Sequence, residues 1–153
     1  MGFCEKLTEL ERSADRMPDG WQYTLPTEAQ WEYACRAGTT KAYAFGGSIA
    51  TKQANFNRSV NKTTKVGIYL ANAWGFHDMH GNVAELCADW YGVYSSSQLT
   101  DPTGPELGSG STRVERGGSW VRDWSILRSA RRSSSYPSIP GSDLGFRLAF
   151  KQQ

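Results

Sequence analysis

The sequence predicts an α+β fold built from two helices, small antiparallel sheets and much irregular loop. Three observations carry that expectation. Apolar residues recur at helical spacing in two stretches only, both near the N-terminus. Short runs alternate apolar and polar residues, most clearly at the C-terminus. Between them, Gly, Pro, Ser, Asn and Thr fill long stretches with no sustained period. Sixteen Gly and six Pro, beside six Trp, seven Tyr and six Phe, suit a loop-rich domain with large aromatic anchors rather than a bundle. At 153 residues, a single domain spanning 1–153 with one core is expected.

The elements follow in order. Phe3, Leu7, Leu10 and Ala14 share one helical face. Met17-Pro18-Asp19-Gly20 ends that helix with turn chemistry, and Tyr23 and Leu25 alternate as a short strand does. Thr27 with Gln30 forms a capping-box pattern for a second helix. Trp31, Ala34 and Cys35 supply its buried side, and Gly38 its stop. Thr39 to Leu70 has no period and reads as irregular loop, which in a small domain needs an internal tether. Asn72 to Tyr91 is dense in Trp, Gly, His, Asp and Asn, and Ser95 to Thr112 is loop. Val114, Gly118 and Trp120 start a strand. Phe146, Leu148 and Phe150 alternate with Arg147 and Ala149 as a half-buried terminal strand.

A net charge of +2 is too small to argue for nucleic acid or an acidic membrane surface, and no nucleic-acid partner is expected. No apolar run is long enough to span a membrane, and the N-terminus lacks a signal pattern. Cys4, Cys35 and Cys87 are odd in number and lack CxxC spacing, so a structural zinc site is not expected. Reduced, buried thiols fit a cytoplasmic location. Arg113, Arg116, Arg128, Arg131 and Arg147 are expected to pair with Glu28, Glu32, Asp89 or Glu115. His77 and His80 are expected to pack or hydrogen-bond.

Five stretches together resemble the formylglycine-generating enzyme, or sulfatase-modifying factor, family. They are LPTEAQWEYACRAG (25–38), NAWGFHDMHGNVAELCADWYG (72–92), RVERGGSW (113–120), RSARR (128–132) and GFRLAF (145–150). They occur in the family's order. The resemblance implies a C-type-lectin-like scaffold of two helices and small sheets, and an N-terminally shortened version of it. Surface display through segments outside this chain would be compatible with it.

The family's activity does not follow. The resemblance places two copper-binding cysteines in the loop after the Gly-Gly-Ser-aromatic motif. Here that loop, Val121 to Leu127, holds no cysteine, and cuprous copper needs soft thiolate. Copper is therefore not expected. The resemblance also implies disulfide partners for Cys4 and Cys35 near the C-terminus. The matching positions are Leu148 and Ser129.

Asp78 and Glu85 are two carboxylates seven residues apart with Gly81 between them. Calcium takes several hard oxygens around a tight turn. The same pattern serves an ion-paired or capped turn without metal. The resemblance implies structural calcium, held by the side chains of Asp78 and Glu85 and the carbonyls of Gly81 and Val83. A second family calcium site begins at Asn55-Phe56, but no acid follows in 57–67. Ala84 and Leu86 stand where the family carries tryptophans.

Two stretches flank RSAR: Val121 to Leu127, and Arg132 to Asp143. Both are rich in Ser, Tyr, Asp, Arg and Trp, the composition of antibody-like binding loops. The layout resembles variable proteins of diversity-generating retroelements, with a variable region over 113–150. The resemblance implies ligand contact by Val121, Arg122, Asp123, Trp124, Ser125, Ser133, Ser134, Tyr136, Ser138 and Ser142. The expected function is a non-catalytic module binding a protein or other macromolecule. The alternative is an enzyme of the same family with altered oxidoreductase chemistry.

Overall fold

The computed structural model describes residues 2–105 and 111–152. Helix α1 (Gly2–Ser13) leads through a turn to strand β1 (Trp21–Thr24), and helix α2 (Glu28–Arg36) follows. Strands β2 (Ala84–Trp90), β3 (Arg113–Arg116), β4 (Ser133–Ser135), β5 (Leu144–Gly145) and β6 (Ala149–Gln152) complete the described elements, with a short 3-10 helix at Trp124–Leu127. One sheet pairs β1 with β6; the other runs in the order β4-β3-β2-β5. The α+β expectation holds, with one correction. The sheets are not wholly antiparallel, because β5 joins β2 in parallel through Ala84↔Leu144 and Glu85↔Gly145.

Helix α2 begins as its sequence dictates. The Thr27 hydroxyl accepts from the Gln30 N–H at 3.2 Å, and the Gln30 side chain accepts from the Thr27 N–H at 2.9 Å. It ends at a left-handed Ala37 (φ 45°), followed by Gly38. Trp31 and Cys35 point into the main core with Met79, Cys87 and Val114. A second cluster of Tyr43, Ala54, Phe56 and Leu127 lies under the loops.

Helix α1 departs from its predicted face. Phe3 and Leu10 are exposed, while Cys4 and Thr8 are buried. The Thr8 hydroxyl donates to the Cys4 carbonyl at 2.8 Å and accepts from the Tyr23 N–H at 3.0 Å. A polar bond to β1 thus sets the helix rotation, one residue away from the apolar stripe. The C-terminal strand is also shifted: Phe146 and Leu148 precede β6, and Phe146, Leu148 and Phe150 are substantially exposed. Gly118 and Trp120 follow β3 rather than belonging to it.

Residues 39–70 are irregular, as expected, and their tether is a pair of buried asparagines. Asn55 Nδ2 donates to the Lys62 carbonyl at 2.9 Å, and Asn82 Oδ1 accepts from the Thr64 N–H at 2.9 Å. The Asn82 N–H in turn donates to the Asn55 carbonyl at 2.8 Å. A Cβ on Gly81 would fall 2.3 Å from that same carbonyl, at φ +80°. Only glycine allows this approach. The predicted loop 95–112 is irregular where described; residues 106–110 lie outside the described residues.

Candidate binding site

The segment after β3 is shaped by two adjacent left-handed glycines. Gly117 (φ +86°) passes the Trp31 ring, where a Cβ would sit 3.1 Å from Cζ2. Gly118 (φ +66°) passes Leu127, where a Cβ would sit 2.9 Å from Cδ1. Residues 119–127 are then pinned from several sides. The Trp120 and Arg122 carbonyls accept from the N–H groups of Arg58 and Asn57, each at 2.7 Å. The Trp120 N–H donates to the Asn82 carbonyl at 3.0 Å, and the Tyr43 hydroxyl to the Trp124 carbonyl at 2.7 Å. Asp123 caps the 3-10 helix by accepting from the Ser125 N–H at 2.8 Å.

Backbone held in this way leaves side chains free. Trp124 is 60% exposed and Tyr136 is 51% exposed. Arg122, Asp123, Ser138 and Ser142 are also exposed; Val121, Ser125, Ser133 and Ser134 are half-buried. Ser133 and Ser134 lie in β4, paired to Glu115 and Val114 of β3, a strand that sequence reading gave as loop.

A cleft of about 270 Å³ opens between the two predicted stretches. It gathers Arg122, Ser134 and Tyr136 of the predicted set, together with Ile126, Ile139 and Asp143. Val121, Asp123, Trp124, Ser125, Ser133, Ser138 and Ser142 do not line it. Glu115 and Gly118 line it too and were missed, because both lie in a framework block. Two of its carboxylates are engaged: Asp143 Oδ2 accepts from the Ser119 hydroxyl at 2.8 Å, and Glu115 from the Ser135 hydroxyl.

The carboxylates of the oxygen-rich turn are hydrogen-bonded within the protein. Both oxygens of Glu85 accept from the Arg147 guanidinium, with Nη2 at 2.6 Å from Oε1, and Oε2 also accepts from the Trp31 indole at 2.7 Å. Asp78 Oδ2 accepts from the Gly67 N–H at 2.7 Å. The Gly81 N–H donates to the Gly117 carbonyl at 2.9 Å, and Val83 packs against Gly145. Among the described residues no group of three His, Cys, Asp or Glu side chains is placed to hold a metal. A guanidinium thus already partners the Glu85 carboxylate.

The cysteines are free and buried. Burial pushes the Cys35 thiol up to about 12, opposed by its hydrogen bond to Ser129, and raises Cys87 further. Thiols so held are poor nucleophiles and poor soft ligands. His80 lies beside Cys35, its Nε2 at 3.7 Å from Sγ. Its Nδ1 donates to the Leu127 carbonyl at 2.8 Å and its Nε2 accepts from the Ala44 N–H at 3.0 Å, which fixes a neutral ring. Burial holds its pKa below the ordinary 6.5. The unfolded chain therefore takes up the proton first as pH falls. The His80 contribution is complete above 6.5 and is lost below it. The urea midpoint should fall between pH 7 and about pH 5.5, and His80→Gln should flatten that fall.

The match to known proteins decides the family. The model of the sulfatase-modifying factor enzyme 1-like domain matches residues 1–152. This chain belongs to the FGE-sulfatase family. This FGE-sulfatase chain is 38% identical over 146 residues to a formylglycine-generating enzyme of Streptomyces coelicolor, covering 82% of this chain and 46% of that protein. It is 44% identical over 130 residues to serine/threonine-protein kinase pkn1 of Chlamydia caviae, covering 82% of this chain and 20% of that protein. The chain thus spans a fifth to about half of these relatives. Among solved structures, Treponema denticola variable protein 1 superposes with a TM-score of 0.77 at 36% identity, covering 86% of this chain and 48% of that one. Both resemblances drawn from the sequence, to the enzymes and to variable proteins, are met.

Proposed function

We propose that this FGE-sulfatase domain is a non-catalytic ligand-binding module whose binding face is built from residues 121–127 and 132–143, diversified as in retroelement variable proteins. The observation that carries the reading is the cleft between those two stretches, on a backbone pinned at Trp120, Arg122 and Trp124 while the Trp124 and Tyr136 side chains stand free. A fixed backbone carrying exposed aromatics is the preorganised form of a binding loop. The absence of cysteine from 121–127 and the raised thiols of Cys35 and Cys87 support binding over redox chemistry. The partner is a protein or other macromolecule. Among the described residues no helix is long and apolar enough to cross a membrane. Free buried thiols support a reducing compartment for the domain.

The test is to sequence the 3′ end of the gene, with its flanking DNA, from many clonal descendants. Substitutions confined to codons 121–143, at adenines of a nearby near-copy, are expected. An invariant 3′ end without a near-copy overturns the reading. At the protein level, Trp124→Ala should weaken binding to a partner recovered with the wild-type chain by about tenfold or more. Stability should change by no more than about 0.5 kcal/mol in the same variant. A large fall in Tm would place Trp124 in the core instead.

A further inference from the structure

A second and larger cleft, of about 740 Å³, lies between α2 and residues 92–105. It shares only Arg132 with the binding face proposed above and is of a size that takes small molecules. The segment is closed at its base. A Cβ on Gly92 would fall 2.8 Å from Pro105 Cγ, and one on Gly104 would fall 2.8 Å from Asp89 Cβ. The chain therefore leaves and returns at one place, as an Ω-loop does, and such loops are ordinarily filled by their own side chains. Here Tyr94 and Leu99 of the loop and Tyr33 of the facing helix are more than half exposed, and all three line the cleft with Pro102.

The charges along the cleft divide into two kinds. Glu28 is held by Arg132 at 2.6 Å and by Arg116 at 3.3 Å; Glu32 is held by Arg36 at 2.8 Å and by Arg116. Asp89 is 3% exposed and no ion pair among the described residues reaches it. Its Oδ2 accepts the Glu28 N–H at 2.7 Å. Arg132 and Arg113 attract it only at longer range: Arg132 is engaged by Glu28, and Arg113 donates to the Ala88 carbonyl and stacks 4.2 Å over the Trp90 ring. Burial raises the Asp89 carboxyl above its ordinary range. A buried carboxylate at the edge of an aromatic and apolar cleft, with no ion pair of its own among the described residues, is a place where a cation is favoured.

We propose that this cleft binds a small apolar amine, its hydrocarbon or aromatic body against Tyr33, Tyr94, Leu99 and Pro102 and its ammonium on the Asp89 carboxylate. The geometry excludes an anion of similar shape by repulsion from the same group. The test is a titration followed by amide NMR shifts on the full chain, using 2-phenylethylamine, the neutral 2-phenylethanol and the anionic 3-phenylpropionate as probes. The amine should shift the amides of Gly92, Tyr94 and Gly104 at millimolar concentration. The alcohol should bind about tenfold more weakly, the loss of one charge-assisted contact, and the acid not at all.

Two variants sharpen the result. Asp89→Asn keeps an acceptor for the Glu28 N–H and removes the charge, so amine and alcohol should then bind alike. Ala29→Phe, on the α2 wall of the cleft, should abolish both. Absence of amine shifts at these residues, equal binding of the acid, or an amine preference that survives Asp89→Asn overturns the proposal. These outcomes leave the 121–143 binding face untouched.

Discussion

Replacing Arg116 with methionine is expected to cost the fold about 3–5 kcal/mol, the usual consequence of removing one partner from a buried ionic network. The Arg116 side chain is wholly buried. Nη2 meets Glu32 and donates to the Ser129 carbonyl at 2.7 Å; Nη1 donates to the Arg131 carbonyl at 2.9 Å and lies 3.3 Å from Glu28. The guanidinium also lies 5.4 Å from the Trp31 ring centroid. One planar fork therefore ties α2 to the segment that follows the binding loop. A lysine cannot reproduce that, because a single ammonium lacks the fork. The midpoint of urea unfolding should fall sharply for Arg116→Met and nearly as far for Arg116→Lys. Arg16→Met, which breaks the exposed Glu11 pair at 2.8 Å, should change it by less than about 1 kcal/mol. Adding Glu32→Leu to Arg116→Met should recover part of the loss, since one stranded carboxylate disappears with its partner. A neutral outcome for Arg116→Met would mean that Arg132 alone suffices for Glu28.

The sequence reveals the elements whose signals are local. The Thr27–Gln30 capping box and the Trp31/Cys35 face lie within nine residues, and α2 forms as read. Strand β2 was not legible, for a physical reason. Its buried positions include Glu85, Cys87 and Asp89, so the inward face is largely polar and the hydrophobic period vanishes. Those acids are satisfied by Arg147, Trp31 and the Glu28 N–H, groups far away in sequence. Helix α1 misled in the opposite way: its apolar stripe is real, but the Thr8–Tyr23 bond turns a neighbouring face inward.

The candidate site was legible in outline and not in detail. Composition located both loops, and the structure brings them to one cleft. Composition could not separate Asp123, which caps the 3-10 helix, from Arg122, which lines the cleft. Nor could it show that Ser133 to Ser135 pair with β3, since three serines carry no strand signal. At the Asp78–Glu85 turn the sequence could not show that Arg147, 62 residues away, reaches Glu85.

The positions 35 and 129 offer the strongest stabilising change. The Cys35 thiol donates to the Ser129 hydroxyl at 3.6 Å, and both residues are fully buried. The family resemblance implied a lost disulfide here, and the structure brings the two side chains into contact across 94 residues of chain. The Ser129 backbone is fixed on both sides, its N–H donating to the Ala42 carbonyl at 2.8 Å and its carbonyl accepting from Arg116. Ser129→Cys should therefore place two thiols side by side without moving the chain far. Oxidation should then form the bridge, seen as a loss of two hydrogens by mass spectrometry. Closing so long a loop is expected to add about 2–4 kcal/mol to the oxidised variant, below the full entropic value because engineered bridges carry strain. The reduced variant should be no more stable than the parent, since a sulfur replaces a smaller oxygen in a filled site. The high thiol pKa of Cys35, about 12, predicts slow oxidation near neutral pH. Partial unfolding in mild urea should accelerate it by exposing the thiol. A variant that oxidises quickly in the native state would mean that the Cys35 site opens far more often than its burial implies.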